Sequence, residues 1–540
     1  MNQPAPASSF APLRNRVFAV LWCATVLGNI GSFMRDVASA WLVTDLSGAP
    51  AAVALVQAAA TLPIFLLAIP AGVLSDILDR RRFLIAIQIL LGLVSLSLMA
   101  LAQTGQLGVG SLVALTFLGG VGAALMAPTW QAIVPELVSK GELKTAVALN
   151  SLGINIARSI GPALGGLILA SFGAGVTYGA DVLSYLLVVA ALVWWRRAPD
   201  IDDALHERFA GAFRAGLRYA RASRELHVVL LRAAIFFACA SAVWALLPLV
   251  ARNLLGGGAG FYGVLLGAVG AGAILGALAL PKLRSRFDAD ALLLLAGLTI
   301  AGVIGALAFA PPQGVAVTIL VLLGAGWIVA LTTLNGAAQA ILPNWVRGRA
   351  LAVYLTVFNG AMTAGSLGWG AVAQAVGISG TLILAAAALL AAALVMHRVK
   401  LPIGEADLTP SNHWPEPLLA APVEHDRGPV LILIEYRVAA SAREEFLLAV
   451  HRLATVRRRD GAHGWGITED TADPERLVEW FMVSSWAEHL RQHRRVSKAD
   501  ADLQAEVARY HTGPDAPVVR HFLDVERPAA PSVVVKESAR

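Results

Sequence analysis

Apolar runs of about twenty residues recur through the first 400 residues, and they constrain the fold more than any other feature. The hydrocarbon core of a bilayer is about 30 Å thick and requires roughly 20 apolar residues per crossing helix. The runs lie near 17–45, 50–75, 83–103, 109–134, 146–170, 176–195, 228–251, 259–280, 290–310, 314–342, 350–375 and 378–396. Only 14% of the residues are charged, against roughly 25% in soluble domains. The sequence therefore predicts an all-α polytopic membrane protein with twelve transmembrane helices in a lipid bilayer.

Basic residues between the runs predict the orientation. If the N-terminus is cytoplasmic, the basic loops, including 80–82 and 196–224, all fall on the cytoplasmic side, and Arg252 alone falls on the other side. Up to residue 400 there are 25 Arg and Lys against 14 Asp and Glu, whereas residues 401–540 carry 17 against 22. The basic excess thus belongs to membrane topology. We expect both termini in the cytoplasm and no nucleic-acid partner.

Internal repetition divides the membrane part into two six-helix halves. The run Gln131-Ala-Ile-Val-Pro135 returns as Gln339-Ala-Ile-Leu-Pro343, and segment 72–82 returns in weaker form at 276–286. The predicted parts are a cytoplasmic tail 1–16, a first half 17–195, an inter-half loop 196–227, a second half 228–400, a linker 401–428, a cytoplasmic domain 429–527 and a disordered tail 528–540. Two halves around a central site suit alternating access.

Segment 72–82 reads Gly-Val-Leu-Ser-Asp-Ile-Leu-Asp-Arg-Arg-Arg and resembles the loop motif Gly-x-Leu-x-Asp-x-x-Gly-Arg-Arg of the major facilitator superfamily. Asp79 stands where that family has its second glycine, and Ile77 where it has a basic residue. The resemblance implies the major facilitator fold and a conformational latch made by Gly72, Asp76, Asp79, Arg80 and Arg81. A carboxylate near a helix N-terminus is favoured, which makes the role plausible for Asp76. The alternative is that residues 80–82 only anchor the helix end.

A second motif lies in the fifth run. Gly161, Pro162, Gly165 and Gly166 form a Gly-Pro-x-x-Gly-Gly sequence similar to one found in exporters of the superfamily. Glycines let helices approach closely, and a proline bends a span; ordinary small-residue packing is the alternative. Together with the runs around Met34, Leu78 and Arg347, residues 10–400 resemble the enterobactin-exporter-like transmembrane secretion group of the bacterial inner membrane.

Ionisable side chains inside predicted spans are functional candidates, because a charge in the bilayer is costly. Asp36, Arg158 and Asp181 meet this description. We expect Asp36 to exchange a proton, with Arg158 as the neighbouring cation that biases its release; a static pair joining two spans is the alternative. Arg35 lies about 100° away from Asp36 around the helix. Asp181 is expected nearer the outer face.

Amide side chains within the spans are candidates for a substrate cavity. They are Asn29, Gln57, Asn150, Asn155, Asn335, Gln339 and Asn359. A cavity with sparse hydrogen-bonding groups suits a small, partly hydrophobic compound. Trp244, Trp327 and Trp369 offer stacking surfaces, although interfacial belts and packing are commoner positions for Trp.

After residue 400 the hydropathy falls and an α+β pattern follows. Strands are predicted at 430–438, 464–470, 476–484 and 517–525, with helices at 441–458 and 486–510. This βαββαβ order predicts a ferredoxin-like domain. It resembles the antibiotic-biosynthesis-monooxygenase type of α+β domain.

His489 and His493 are one turn apart on the last predicted helix, a spacing that allows a metal-ligand or acid–base pair. A third ligand is not evident, and Arg491, Arg494 and Arg495 surround the pair. We therefore expect solvated helix surface, with no metal ion, no cofactor and no catalytic residue. Dimerisation by self-association, or regulation, is the expected role.

These features predict a secondary active transporter that exports a small hydrophobic or siderophore-like compound in exchange for protons. No phosphate-binding loop precedes a predicted strand, so ATP is not expected as the energy source. An importer on the same scaffold is one alternative, against which the Gly-Pro motif weighs. A transporter fused to a catalytically active, cofactor-free oxygenase-like domain is the other.

Overall fold

The computed structural model describes residues 10–139, 141–196, 209–343, 346–402, 411, 423–424 and 427–525. The predicted tail 528–540 and most of the predicted linker 401–428 lie outside this part, as does the side chain of Asp76. The chain forms two compact units. The first contains residues 1–209, 225–340 and 351–403, and the second contains residues 210–224, 341–350 and 404–540.

Before residue 400 the described chain is helical. The helices are α1 Arg16–Leu46, α2 Pro50–Ile77, α3 Arg80–Gln103, α4 Val109–Leu137, α5 Leu143–Trp194, α6 Phe209–Ala222, α7 Arg224–Leu249, α8 Ala259–Arg284, α9 Ala289–Leu307, α10 Gln313–Ala340 and α11 Arg347–Met396. A π-helical turn, Val250–Leu254, extends α7. The predicted runs coincide with these helices to within a few residues.

Ten helices of the described chain are long and apolar enough to cross a membrane. Two of them, α5 with 52 residues and α11 with 50, are far longer than the roughly 20 residues that one crossing needs. Each is interrupted by a glycine at positive φ, Gly173 at 80° and Gly377 at 77°. Only glycine adopts this conformation without strain. The polytopic helical fold is confirmed, whereas the count of twelve spans stays a prediction.

The interrupting glycines follow the internal repeat. Gly173 and Gly377 are 204 positions apart, and so are Gly72 and Gly276. The repetition seen in sequence therefore extends to the backbone geometry of the two halves. It also explains why both long helices break near their middle.

Side-chain caps fix several helix starts. The Asn15 carboxamide oxygen accepts hydrogen bonds from the amides of Val17 and Phe18 at the start of α1. Asp79 and Asp288 cap α3 and α9 in the same manner. These caps satisfy amides that would otherwise lack a partner at a helix N-terminus.

The second unit contains a four-stranded antiparallel sheet. Its elements in chain order are β1 Val430–Arg437, α12 Arg443–Arg459, β2 His463–Asp470, β3 Asp473–Val483, α13 Trp486–Arg495, α14 Lys498–Ala508 and β4 Val518–Leu523. The strand order is β2-β3-β1-β4, and all three pairings are antiparallel. This is the ferredoxin-like arrangement that the sequence predicts.

One predicted helix of this unit is wrong. The sequence predicts a single helix over 486–510, but α13 ends at Arg495 and α14 begins at Lys498. Ser497 and Asp500 form a capping box, in which each side chain bonds the backbone amide of the other residue. This capping box starts a new helix at Lys498 and so divides the predicted helix in two.

The sheet is held by an apolar core, and the pair Arg457–Glu479 is buried with it. Alternate residues of β1 are buried, as expected for a strand with one covered face. Arg457 donates from Nε to Glu479 Oε1 at 3.2 Å, with side chains 2% and 0% exposed. Tyr436 and Trp465 also donate to the Glu479 carboxylate, at 3.2 and 2.9 Å. The buried charge is thus paired and hydrogen-bonded, which its burial requires.

Helix α6 belongs to this second unit. The Tyr219 hydroxyl donates to the Ile341 carbonyl at 3.2 Å, and the Arg459 guanidinium lies 5.7 Å from the centre of the Tyr219 ring. Arg218 Nη2 lies 2.9 Å from Glu488 Oε1. The domain therefore contacts α6, which sequence analysis assigns to the inter-half loop, and α6 in turn contacts Ile341.

Candidate functional site

A cavity of about 540 Å³ lies in the first unit, beside the beginning of α1. Its walls come from three helices of the first half and from Gln339 of α10. The lining combines aromatic rings, amides and aliphatic groups: Trp22, Thr25, Val26, Asn29, Met126, Ala127, Trp130, Gln131, Val134, Val147, Asn150, Ser151, Gly153, Ile154 and Gln339. Such a surface suits an amphiphilic molecule.

Of the seven amides predicted to line a cavity, Asn29, Asn150 and Gln339 do so. Asn335 contacts the side chain of Gln339 from the preceding turn. Asn155 and Asn359 instead donate to the carbonyls four residues before them, each at 2.8 Å. Gln57 is not among the lining residues either.

Trp22 and Trp130 also line the cavity, although neither is among the residues predicted from the sequence. The Trp22 indole donates to the Leu149 carbonyl at 2.9 Å, which fixes one wall. The three tryptophans considered as stacking surfaces pack elsewhere: the rings of Trp244 and Trp327 are 5.1 Å apart, and Trp369 donates to the Ala238 carbonyl.

A buried cluster of charges lies farther along α1. Arg35 Nη2 is 3.1 Å from Asp36 Oδ1, and Arg35 Nη1 is 3.4 Å from Asp181 Oδ2. Arg35 also donates to the Tyr185 hydroxyl at 2.9 Å, and Ser95 donates to Asp181 at 2.6 Å. Asp181 is fully buried, whereas the Asp36 side chain is 54% exposed. One arginine thus bridges a buried and an accessible carboxylate.

This geometry corrects one expectation. The cation beside Asp36 is Arg35, and no contact joins Asp36 to Arg158 among the described residues. A guanidinium on a long side chain reaches back to the neighbouring carboxylate even though the two Cβ atoms point apart. Asp181 is buried against Arg35 and Ser95, and its position nearer the outer face stays a prediction.

The predicted latch residues contact other helices of the first half. Arg80 Nη1 is 2.6 Å from Glu136 Oε1 of α4. Arg81 donates to the Leu192 and Val193 carbonyls at the end of α5, both at 2.8 Å, where a cation is favoured by the helix dipole. Asp79 caps α3, with Oδ1 accepting from the Arg82 amide at 2.7 Å.

For the latch candidates Gly72 and Asp76, the described residues give no contact that supports the role. No heavy atom lies within 4 Å of a Cβ built on Gly72. The Asp76 side chain lies outside the described residues. The partner missed in the sequence is Glu136, which directly follows the repeated run that ends at Pro135.

The Gly-Pro motif of α5 lies at two close helix contacts. A Cβ on Gly161 or Gly165 would lie 2.7 Å from Phe33 Cβ or Met34 Cα of α1, respectively. On the other side, a Cβ on Gly166 would lie 2.5 Å from Gly263 Cα of α8. The Pro162 carbonyl faces the same glycine of α8. The motif therefore packs α5 directly against a helix of the second half.

Contacts between the two halves lie near the end of α1, farther along the helix than the charged cluster. Arg252 Nη1 is 2.6 Å from Asp45 Oδ1 near the end of α1 and also donates to Thr44 at 3.2 Å. The rings of Trp41 and Tyr262 stack at 5.9 Å. The halves thus meet at the end of α1, while the cavity lies at its beginning.

His489 of the second unit does not lie on solvated surface, and that expectation is wrong. The residue is 1% exposed. Within the described part of the chain, neither of its ring nitrogens has a partner in hydrogen-bond geometry. Burial, with His493 and His521 nearby, lowers the pKa of His489 to about 3, so its imidazole is neutral near pH 7.

Comparison with known proteins identifies the family. The sequence profile described as "Transmembrane secretion effector" matches residues 7–529. The chain belongs to this family. The match includes the ferredoxin-like domain, so the family profile extends over both structural units. The family assignment confirms the resemblance noted for residues 10–400.

Curated relatives of this family member are transporters by name. The Staphyloferrin A transporter of Staphylococcus aureus is 26% identical over 47% of this chain and 64% of its own length. The multidrug efflux pump Tap of Mycolicibacterium fortuitum is 26% identical over 68% of this chain and 91% of its own. The enterobactin exporter EntS of Escherichia coli is 29% identical over 49% of this chain and 62% of its own. The first and third alignments thus span less than two thirds of those relatives.

Solved structures share the fold. A bacterial homologue of the human lysosomal transporter Spinster, in an inward-facing and unoccupied conformation, aligns with a TM-score of 0.58 at 15% identity, covering 72% of this chain and 97% of that one. The nucleoside transporter NupG aligns with a TM-score of 0.60 at 10% identity, covering 71% and 99%. These similarities confirm the major facilitator fold of the membrane part.

Proposed function

We propose that this family member is a proton-coupled exporter of a small hydrophobic or siderophore-like compound in the bacterial inner membrane. The observation that carries the proposal is the amphiphilic cavity beside the start of α1, because it offers rings and amides in one space. The named functions of the efflux and siderophore-transport relatives support the same substrate class.

The direction of access follows from the predicted topology. With both termini cytoplasmic, the start of α1 faces the cytoplasm, and so does the cavity. The contact of Arg252 with Asp45 and the Gly166–Gly263 approach then close the opposite side. An exporter must take its substrate from the cytoplasmic side or inner leaflet, and this conformation is the loading state.

We assign proton exchange to Asp36. It is the accessible carboxylate of the cluster, and its partner Arg35 is also held by Asp181 and Tyr185. When Asp36 is protonated, Arg35 keeps its buried partner Asp181, and these two opposite charges balance each other. Arg158 has no contact with Asp36 and is not part of this assignment.

The test is transport into inside-out vesicles from an efflux-deficient host under an imposed proton gradient. Hydrophobic dyes and catecholate siderophores serve as substrates, and Asp36→Asn is compared with Glu225→Gln, an exposed acidic residue in the first turn of α7. Wild type and Glu225→Gln should accumulate substrate, and both a protonophore and Asp36→Asn should abolish accumulation. Full activity of Asp36→Asn would remove Asp36 from the coupling step.

Two alternatives give different results in this assay. An importer would deplete substrate from loaded inside-out vesicles under the same gradient. A fused oxygenase would convert substrate, so mass spectrometry of the recovered compound separates turnover from transport. We expect unmodified compound, because the ferredoxin-like unit acts as a regulatory or self-association module.

A further inference from the structure

Three histidines of the ferredoxin-like domain converge on one point. His489 and His493 lie one turn apart on α13, and His521 lies on β4. The possible ligand atoms of the three side chains all lie within 4.8 Å of one another. The His489 ring centre is 4.6 Å from those of His493 and His521. The third ligand that is not evident in the sequence is therefore supplied by the sheet.

The ring nitrogens of His489, the central histidine, are buried without a hydrogen-bond partner among the described residues. His489 is 1% exposed, and among the described residues no group meets hydrogen-bond geometry with either of its ring nitrogens. A buried polar group without a partner costs about 1–3 kcal/mol, so native proteins rarely leave one unsatisfied. A bound metal ion would take one nitrogen as a ligand. Trp486 packs against His489 and His521, with ring centres 5.2 and 6.0 Å away.

Nearby arginines do not argue against a cation here. Arg495 pairs with Glu488 at 2.7 Å, and Arg491 lies 3.5 Å from the same carboxylate. Arg457 pairs with Glu479. Arg495 and Arg491 thus share the Glu488 carboxylate, and Arg457 has its own partner in Glu479. The groups that face one another in the cluster are imidazoles.

The ligand set selects the class of metal. Three imidazole nitrogens with a free fourth position suit Zn²⁺, and imidazole also binds Co²⁺, Ni²⁺ and Cu²⁺. At metal–nitrogen distances of about 2.0–2.1 Å, tetrahedral ligands lie about 3.3 Å apart. The nitrogens must therefore approach by up to about 1.5 Å from the 4.8 Å limit, a shift that side-chain rotation can supply.

We propose that His489, His493 and His521 form a binding site for one divalent transition-metal ion, with Zn²⁺ as the best match. The site is independent of the transport proposal, because none of its residues belongs to the first unit. Failure of transport assays would leave it untouched.

The test measures metal binding by the full chain, purified with a tag that contains no histidine and stripped with a chelator. Co²⁺ is titrated, since its visible absorption reports the coordination geometry, and Zn²⁺ is then added in competition. The variants are His493→Gln and His521→Gln, both only partly buried, and the matched control is His463→Ala, an exposed histidine of β2. Thermal unfolding without metal checks that each variant folds.

Wild type and His463→Ala should bind one Co²⁺ per chain with a tetrahedral spectrum that Zn²⁺ displaces. Each Gln variant should lose affinity by more than about tenfold, the lower end of the effect expected when a metal-site partner is removed. Unchanged binding in both Gln variants would place the metal elsewhere and overturn the proposal. Absence of a tetrahedral Co²⁺ spectrum in folded wild type would overturn it as well.

Discussion

At the scale of single residues, Arg35 is the centre of the first-half charge cluster. It contacts Asp36, Asp181 and Tyr185, and it is itself 8% exposed. Removing one member of a buried pair leaves an uncompensated charge, which costs about 3–5 kcal/mol. Replacing both members by neutral groups of similar size costs far less. The cluster is therefore sensitive to single changes and tolerant of paired ones.

We expect Arg35→Gln to destabilise the protein by about 3–5 kcal/mol because Asp181 is left unpaired. The double variant Arg35→Gln with Asp181→Asn should recover most of that loss. Unfolding by increasing detergent denaturant in mixed micelles measures both. Arg252→Gln is the control, since its ion pair with Asp45 is about 40% exposed and should contribute at most about 1 kcal/mol. Equal losses for Arg35→Gln and the double variant would contradict the pairing.

The sequence identifies which residues are charged inside the spans but not which of them meet. Asp36, Asp181 and Arg158 were all found from their place in apolar runs. The partner of Asp36 was wrong, because a guanidinium reaches several ångströms from its Cβ and its path depends on neighbours such as Tyr185. Glu136 was missed because it lies just after the span, where a carboxylate needs no special explanation.

At the scale of elements, the residues that line the cavity follow a regular spacing in the sequence. Residues 22, 25, 26 and 29 line it from α1, residues 127, 130, 131 and 134 from α4, and residues 147, 150, 151 and 154 from α5. Each set follows the i, i+3, i+4, i+7 spacing of one helix face. Amide residues taken singly do not reveal this pattern, whereas the spacing of residues along each helix face does. Which three faces converge still depends on tertiary packing.

The α5–α8 contact predicts an effect of Gly166→Ala. The added Cβ would lie 2.5 Å from Gly263 Cα, and backbone there cannot yield cheaply. Overpacking costs about 1–3 kcal/mol, which should shift the protein roughly tenfold toward conformations that open the far end of α1. Gly302→Ala is the control, because no atom lies within 4 Å of its Cβ position.

Thiol labelling in nanodiscs measures this opening. Thr44, 2% exposed beside Arg252, is replaced by Cys after Cys23 and Cys239 are changed to Ala. Labelling should be about tenfold faster with Gly166→Ala than with Gly302→Ala, in line with a shift of 1.4 kcal/mol. Equal labelling rates would show that the α5–α8 approach does not hold this end closed.

The break between α13 and α14 gives a second prediction at this scale. Ser497→Ala removes the side-chain cap of α14 and should destabilise that helix by about 1 kcal/mol. Amides of α14 should then exchange with deuterium about fivefold faster in the full chain. Ser484→Ala, at an exposed position before α13, is the control. Unchanged exchange would mean that packing, rather than the cap, begins α14.

At the scale of the whole molecule, the sequence predicts the polytopic helical part and the small α+β part, because both follow from local patterns. Apolar run length predicts the spans, and alternation predicts the strands. What it cannot predict is which distant segments join the second unit. Helix α6 contacts the ferredoxin-like domain through Arg218 and Tyr219, and the Tyr219 hydroxyl also bonds the Ile341 carbonyl, contacts that no periodicity encodes. For the same reason, the sequence does not predict that His521 of β4 lies beside His489 and His493 of α13.

The domain's contacts connect the proposed metal site to the transporter. Glu488 precedes His489 on α13 and pairs with Arg218 of α6, and α6 is separated from α7 by Ser223 alone. A metal ion on His489 and His493 would fix α13 and so hold this ion pair in place. A less mobile α6 restrains the chain that leads into the second half. Metal binding should therefore slow alternation between conformations.

The last prediction concerns zinc and transport together. In inside-out vesicles, micromolar Zn²⁺ should slow export by wild type about fivefold, the lower end of usual allosteric coupling. His493→Gln should be insensitive because it does not bind the ion. Arg218→Ala should bind Zn²⁺ as tightly as wild type. Its transport rate should nevertheless be the same with and without Zn²⁺, because the ion pair with Glu488 is lost. Equal slowing of all three would assign inhibition to another site, and unslowed wild type with zinc bound would separate the metal site from transport.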